Sequence, residues 1–167
     1  FEHNNFPMKV RKSSVAFFFK DNLIIASKKK SNSGLEFVKE PIFKFSIDED
    51  VSEIGTKIID AISFFEVGAD DLKRDEFKAV FEPILKIVNC KSYNTFWKTA
   101  KHVPIVLENG IITFYATENF GPKGGYSGRV MPKIDLDVEN ASASDLGTAL
   151  LKAFELSSIV VQDKPNV

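Results

Sequence analysis

DVSEIGTKIIDAIS, residues 50–63, is the stretch from which the fold can be read. Asp50 is a helix cap, its carboxylate accepting from the first free backbone N–H groups, and Glu53 is placed to reach back and complete a capping box. Ile54, Ile58, Ala61 and Ile62 then recur at helical spacing and form one apolar stripe. Gly55 interrupts good helix formers at a cost of about 1 kcal/mol against Ala, which points to close approach of another backbone. The pattern returns over residues 142–157, SASDLGTALLKAFELS. Ser142 and Asp145 stand where Asp50 and Glu53 stood. Leu146, Gly147, Thr148, Leu150, Leu151 and Ala153 repeat Ile54, Gly55, Thr56, Ile58, Ile59 and Ala61. The chain therefore reads as two related halves, each with this helix after its last strand.

Working outward, residues 14–20 (SVAFFFK) and 23–27 (LIIAS) flank Asp21-Asn22 and read as a hairpin. Lys28, Lys29 and Lys30 with residues 31–34 read as a basic loop. Residues 35–38 and 42–47 are one further strand or two, with Pro41 forcing an edge position or a bulge. The second half matches: 103–108 (VPIVLE), an Asn109-Gly110 turn, 111–117 (IITFYAT), a Gly-rich loop over 118–128 and the alternating strand 133–137 (KIDLD). Between the halves, Asp70 or Asp71 opens a helical stretch carrying Phe77, Val80, Phe81, Ile84 and Val88. Pro83 either kinks that helix or starts a new one. Ser92 caps another short helix over 92–100. Residues 1–12 are polar and mixed, and the end from Ile159 reads as a tail. The expectation is a single α+β domain, residues 1–167: a largely antiparallel sheet with packed helices, repeats over about 12–65 and 102–158, and central helices over about 70–100.

The 167 residues suffice for one substantial core, and 16 Phe predict heavy aromatic packing. A net charge of -1 gives no global case for nucleic acid or membrane surfaces. Cys90 is the only cysteine, so no internal disulfide forms. Apolar runs are too short to cross a bilayer. The start, FEHNNF, has neither initiator Met nor signal-peptide core, and the expectation is a cytoplasmic chain lacking a few leading residues.

The material for catalysis is thin. His3 lies in the polar start, and His102 reads as a strand-edge surface residue. Cys90 ends an apolar stripe and reads as a buried, inert thiol. No zinc or calcium spacing occurs, so no metal or cofactor is expected. Asp48, Glu49, Asp50 and Glu53 fit a helix N-terminus better than a metal site. Gly121, Gly124, Gly125 and Gly128 around Lys123 lack the order of a phosphate-binding loop and read as a flexible loop. Lys28–30 with Lys39 and Lys44 form a basic patch that RNA or a nucleotide would use. Solvated edge-strand lysines explain it equally.

Taken in order, these residues resemble the immunity proteins of contact-dependent growth inhibition systems, the CdiI family. The resemblance is carried by the hairpin, the strand and the capped Ile-Gly helix. It continues in Lys91-Ser92-Tyr93 and Phe96-Trp97-Lys98, the second hairpin, Lys123-Gly124-Gly125 and the capped Leu-Gly helix, from about Lys12 to Ser157. It implies a non-enzymatic cytoplasmic protein that binds the C-terminal toxin domain of a surface-delivered effector, often a nuclease acting on RNA. An inhibitor of a basic nuclease groove would offer carboxylates and aromatics. The acidic candidates are Glu66, Asp70, Asp71, Asp75 and Glu76. The Gly-rich loop adds Glu118, Phe120, Lys123, Tyr126 and Arg129.

Overall fold

A computed structural model describes residues 11–160. The elements run β1 (Lys12–Phe19), β2 (Asn22–Ser31), β3 (Glu36–Ser46), α1 (Val51–Ser63) and β4 (Glu66–Ala69). A 3-10 turn (Ala79–Phe81), α2 (Glu82–Ile87) and α3 (Tyr93–Thr99) follow. Then come β5 (Lys101–Glu108), β6 (Ile111–Tyr115), β7 (Glu118–Asn119), β8 (Tyr126–Ser127), β9 (Lys133–Asp137), α4 (Ala143–Leu156) and β10 (Ser158–Ile159). His3, most of the polar start and most of the expected tail lie outside the described residues.

The class is α+β, with a mostly antiparallel sheet in the order β3-β2-β1-β5-β6-β9. β1 and β5 pair antiparallel at its middle, Ser14 opposite Ile105 and Ala16 opposite Val103. Each half then runs outward, β2 and β3 beyond β1, β6 and β9 beyond β5. β4 adds to β2 in parallel at Lys29–Ser31, beyond the reach of β1.

Helices α1 and α4 cover one face. Ile54, Ile58, Leu146 and Leu150 pack there against Ala16, Ile25, Ile105 and Phe114. Each such aliphatic side chain contributes on the order of 1.5–3 kcal/mol. The two glycines explain how the helices approach. A Cβ on Gly55 would overlap the Ala143 carbonyl, and one on Gly147 would overlap the Val51 carbonyl. Each helix thus rests its glycine on the first turn of the other.

The opposite face of β1 and β2 is covered by the central segment: Phe17, Phe19, Phe81, Ile84, Phe96 and Trp97 form a second core. Burial on both faces is why β1 reads as an unbroken apolar run and not as an alternation. The β9 end lacks that cover, and KIDLD alternates, Ile134 and Leu136 inward.

Several expectations need correction. Lys28–30 belong to β2 and not to a loop, because β3 and β4 supply pairing partners there. The first hairpin turns on Lys20-Asp21, both at positive φ, with Phe19 opposite Asn22, one residue earlier than read. Residues 70–78 are not helical. Asp71 Oδ1 accepts from Ser33 N (3.0 Å) and Glu76 Oε1 from Lys73 N (2.9 Å), side-chain bonds that compete with a helix ladder. Asp50 caps α1, but its Oδ1 takes Ser52 N (2.9 Å) and the Ser52 hydroxyl (2.9 Å), and Glu53 closes no capping box. The full box forms at Ser142 and Asp145. Pro41 gives both readings at once: β3 is an edge strand, and the register shifts between Ala26 and Ser27 opposite Glu40-Pro41.

Candidate functional site

The chemistry-bearing side chains gather on the aromatic face. Phe17 is its centre, with ring centroids 5.5 Å from Phe81, 5.5 Å from Phe96, 5.4 Å from Trp97 and 5.3 Å from His102. Strand register sets this up, since Phe17 and His102 are directly opposed across β1 and β5. Trp97 arrives on α3, whose start is capped by Ser92 Oγ accepting from Thr95 N (3.1 Å). Its end is tied down by fully buried Asn119, whose Nδ2 donates to Trp97 O (2.8 Å) and Ala100 O (2.6 Å). These bonds satisfy carbonyls that a helix end leaves without partners.

Asn119 Oδ1 also accepts from Gly121 N (2.8 Å), which organises the Gly-rich loop. That loop contains a hydrogen-bonded turn. Phe120 N donates to Gly125 O (2.8 Å), Gly125 N to Gly121 O (3.0 Å), and both glycines have positive φ. β7 pairs with β8 and with β10, so β10 braces the turn. Tyr126 is thereby laid over His102 and Trp97, at 3.7 Å and 5.1 Å between centroids.

Between these rings and β2–β3 lies a cavity of about 240 Å³, lined among others by Lys28, Glu36, Phe77, Trp97, His102 and Tyr126. Its mouth is apolar: Leu35 (44%), Phe77 (44%) and Tyr126 (43%) are exposed large hydrophobic residues. Its polar groups are perturbed. Burial, and then the Lys28 charge, holds His102 well below the ordinary imidazole range. Burial also lowers the Lys28 ammonium, with Glu36 opposing and Arg11 reinforcing. For Glu36 burial alone acts upward, but the Ser13 hydroxyl, the Lys28 charge and Arg11 together bring its carboxyl below the usual range. Burial around the hydroxyl, then neighbouring Tyr93, pushes Tyr126 up to about 12. His102 Nδ1 makes no hydrogen bond among the described residues. Trp97 Nε1 lies near the Tyr93 hydroxyl but reaches no hydrogen bond either.

His102 is therefore buried (4% exposed) and not at the surface, because α3 and Tyr126 cover the start of β5. Cys90 is half-buried, its Sγ 3.4 Å from Ser92 O at the cap of α3. Lys28 lines the cavity, while Lys29, its neighbour in the strand, lies with Nζ 5.2 Å from the Phe37 centroid. Lys39 pairs with Glu66 (2.5 Å).

Of the acidic candidates, Glu66 is thus engaged, and Asp71 and Glu76 hold backbone. Asp70 and Asp75 are exposed in the segment leading to Phe77. Of the loop candidates, Tyr126 lines the cavity, Phe120 is half-buried, and Glu118, Lys123 and Arg129 make no side-chain hydrogen bond or ion pair among the described residues. The sequence reading missed Phe17, Lys28, Glu36 and His102 as one cluster. The unbroken VAFFF run was the available signal, since it demands a layer on each face. No described helix is long and apolar enough to cross a membrane, and no described group of three or more His, Cys, Asp or Glu residues gathers as a metal site would.

No family model matches the chain, and no curated protein does. The architecture is nevertheless shared with solved structures. A protein of unknown function from Neisseria meningitidis superposes with a TM-score of 0.74 at 15% identity, over 92% of this chain and 99% of that one. A chain of the CdiA-CT/CdiI toxin and immunity complex from Yersinia pseudotuberculosis superposes with a TM-score of 0.69 at 15% identity, over 89% and 98%. Both likenesses run nearly end to end, and at that identity they are likenesses of fold.

Proposed function

We propose that the chain is an immunity protein of a contact-dependent growth inhibition system. In this reading it binds the C-terminal toxin domain of the matching effector in the cytoplasm, neutralises it in a stoichiometric complex and catalyses no reaction. The observation that carries the reading is the shared fold with a chain of the Yersinia toxin and immunity complex, over 98% of that chain. The aromatic face supports it: an apolar mouth, with exposed carboxylates at Asp70 and Asp75 in the segment that leads to Phe77, has the composition of a protein interface centre with polar surroundings. The toxin we propose is a nuclease, an RNase first, because exposed carboxylates complement a groove built to hold phosphates. Binding in the nanomolar range corresponds to about -12 kcal/mol and needs an interface on the order of 1,600 Å². The test is co-expression with the toxin domain encoded by the neighbouring effector. Rescue of growth with co-purification supports the reading, and continued killing by that toxin in the presence of folded chain refutes it.

A further inference from the structure

The cavity of the aromatic face is lined largely by aromatic side chains and by one lysine, Lys28. Lys28 forms no ion pair within the described residues. The carboxylate beside it, Glu36, is already held by Arg11 Nη1 (2.8 and 2.9 Å) and Ser13 Oγ (2.5 Å). A partly desolvated ammonium whose neighbouring carboxylate is engaged elsewhere leaves hydrogen-bonding capacity facing the space. The volume suits one ring: an engineered apolar cavity of about 150 Å³ takes up benzene, and this one measures about 240 Å³.

The side chains that most often carry interface energy are Trp, Tyr and Arg. Arg brings a second cation against Lys28. Trp offers only a donor. Phe fills the walls but leaves the ammonium without an acceptor. Tyr alone combines a flat ring with an oxygen that accepts. We propose that the cavity takes a tyrosine side chain of the protein partner, its ring among Phe77, Trp97 and Tyr126 and its phenol oxygen accepting from Lys28 Nζ. This rests on the protein-partner reading given above.

Trp97 is the only tryptophan and lies in the wall, so its indole N–H gives a single resonance that reports on the cavity. The first measurement titrates the ¹⁵N-labelled chain with p-cresol, the tyrosine side-chain analogue, and with toluene. Saturable movement of the indole peak by p-cresol is expected. Lys28→Met should weaken p-cresol by about tenfold, as loss of a charge-assisted hydrogen bond does, and leave toluene unchanged. An indole peak that p-cresol does not move overturns the proposal and leaves the immunity reading intact. So does equal weakening of both probes by Lys28→Met. The second measurement uses the toxin complex. There the indole peak should shift, and Lys28→Met should weaken the complex at least tenfold while Lys152→Gln, on the opposite face, does not. A complex that forms with the indole peak in place rejects the tyrosine assignment alone, and failure of any complex to form rejects both.

Discussion

At the scale of single residues, Gly55 and Gly147 reverse the usual rule for helices. Alanine in place of an exposed helical glycine stabilises by about 1 kcal/mol. Here a Cβ would run into the facing carbonyl of Ala143 or Val51. Gly55→Ala and Gly147→Ala should each destabilise by about 1–3 kcal/mol, as overpacking does, in urea denaturation; a gain in stability from either would show that the helices do not meet there. His102 gives a prediction in pH. Its folded pKa lies below the unfolded value of about 6.5. Its contribution is therefore fully present above that value and is lost as pH falls through it, because the unfolded chain takes up the proton first. Between about pH 7.5 and about pH 5.5 the wild type should lose stability, and His102→Gln should lose less. Equal slopes for the two proteins would remove His102 from the account. The glycine contact was legible because a glycine repeated at one position of two helices has little other explanation. The burial of His102 was not legible, because what covers it comes from α3 and from the turn before Tyr126, both distant in sequence.

At the scale of elements, local chemistry and tertiary pairing divide the outcome. Caps are local, and they were readable: Asp50, Ser92 and Ser142 each start a helix through a side-chain oxygen. Ser142→Ala should cost about 1 kcal/mol, whereas Glu53→Ala should cost little because no box closes at α1. Equal costs would mean that the two helix starts work alike. Pairing is not local. The Lys28–30 run has the composition of a loop, yet β3 on one edge and β4 on the other hold it as strand. Likewise the periodicity of Phe77 with Val80 and Phe81 is helical, but the carboxylates of Asp71 and Glu76 bind backbone groups instead and residues 70–78 form no helix. Phe77 is thereby presented at the cavity mouth and not in a helix stripe.

At the scale of the molecule, one sheet carries two dissimilar faces. The face of α1 and α4 is closed, and its repeated sequence made the class legible from the start. The other face is covered over β1, β2 and the start of β5, largely by a central segment with no counterpart in the second half, and it holds the cavity, the perturbed groups and the apolar mouth. In the proposed reading the asymmetry separates the roles: a duplicated layer for stability, and an unrepeated layer that meets the partner. The likeness to a chain of a toxin and immunity complex follows the whole fold, and the proposed partner surface lies on the unrepeated face. The most direct measurement is titration calorimetry of the purified chain with the toxin domain of the neighbouring effector. The account predicts a one-to-one complex with nanomolar affinity and no turnover of any substrate by the chain itself. Absence of heat at micromolar concentrations of both proteins, with each shown to be folded, would contradict it.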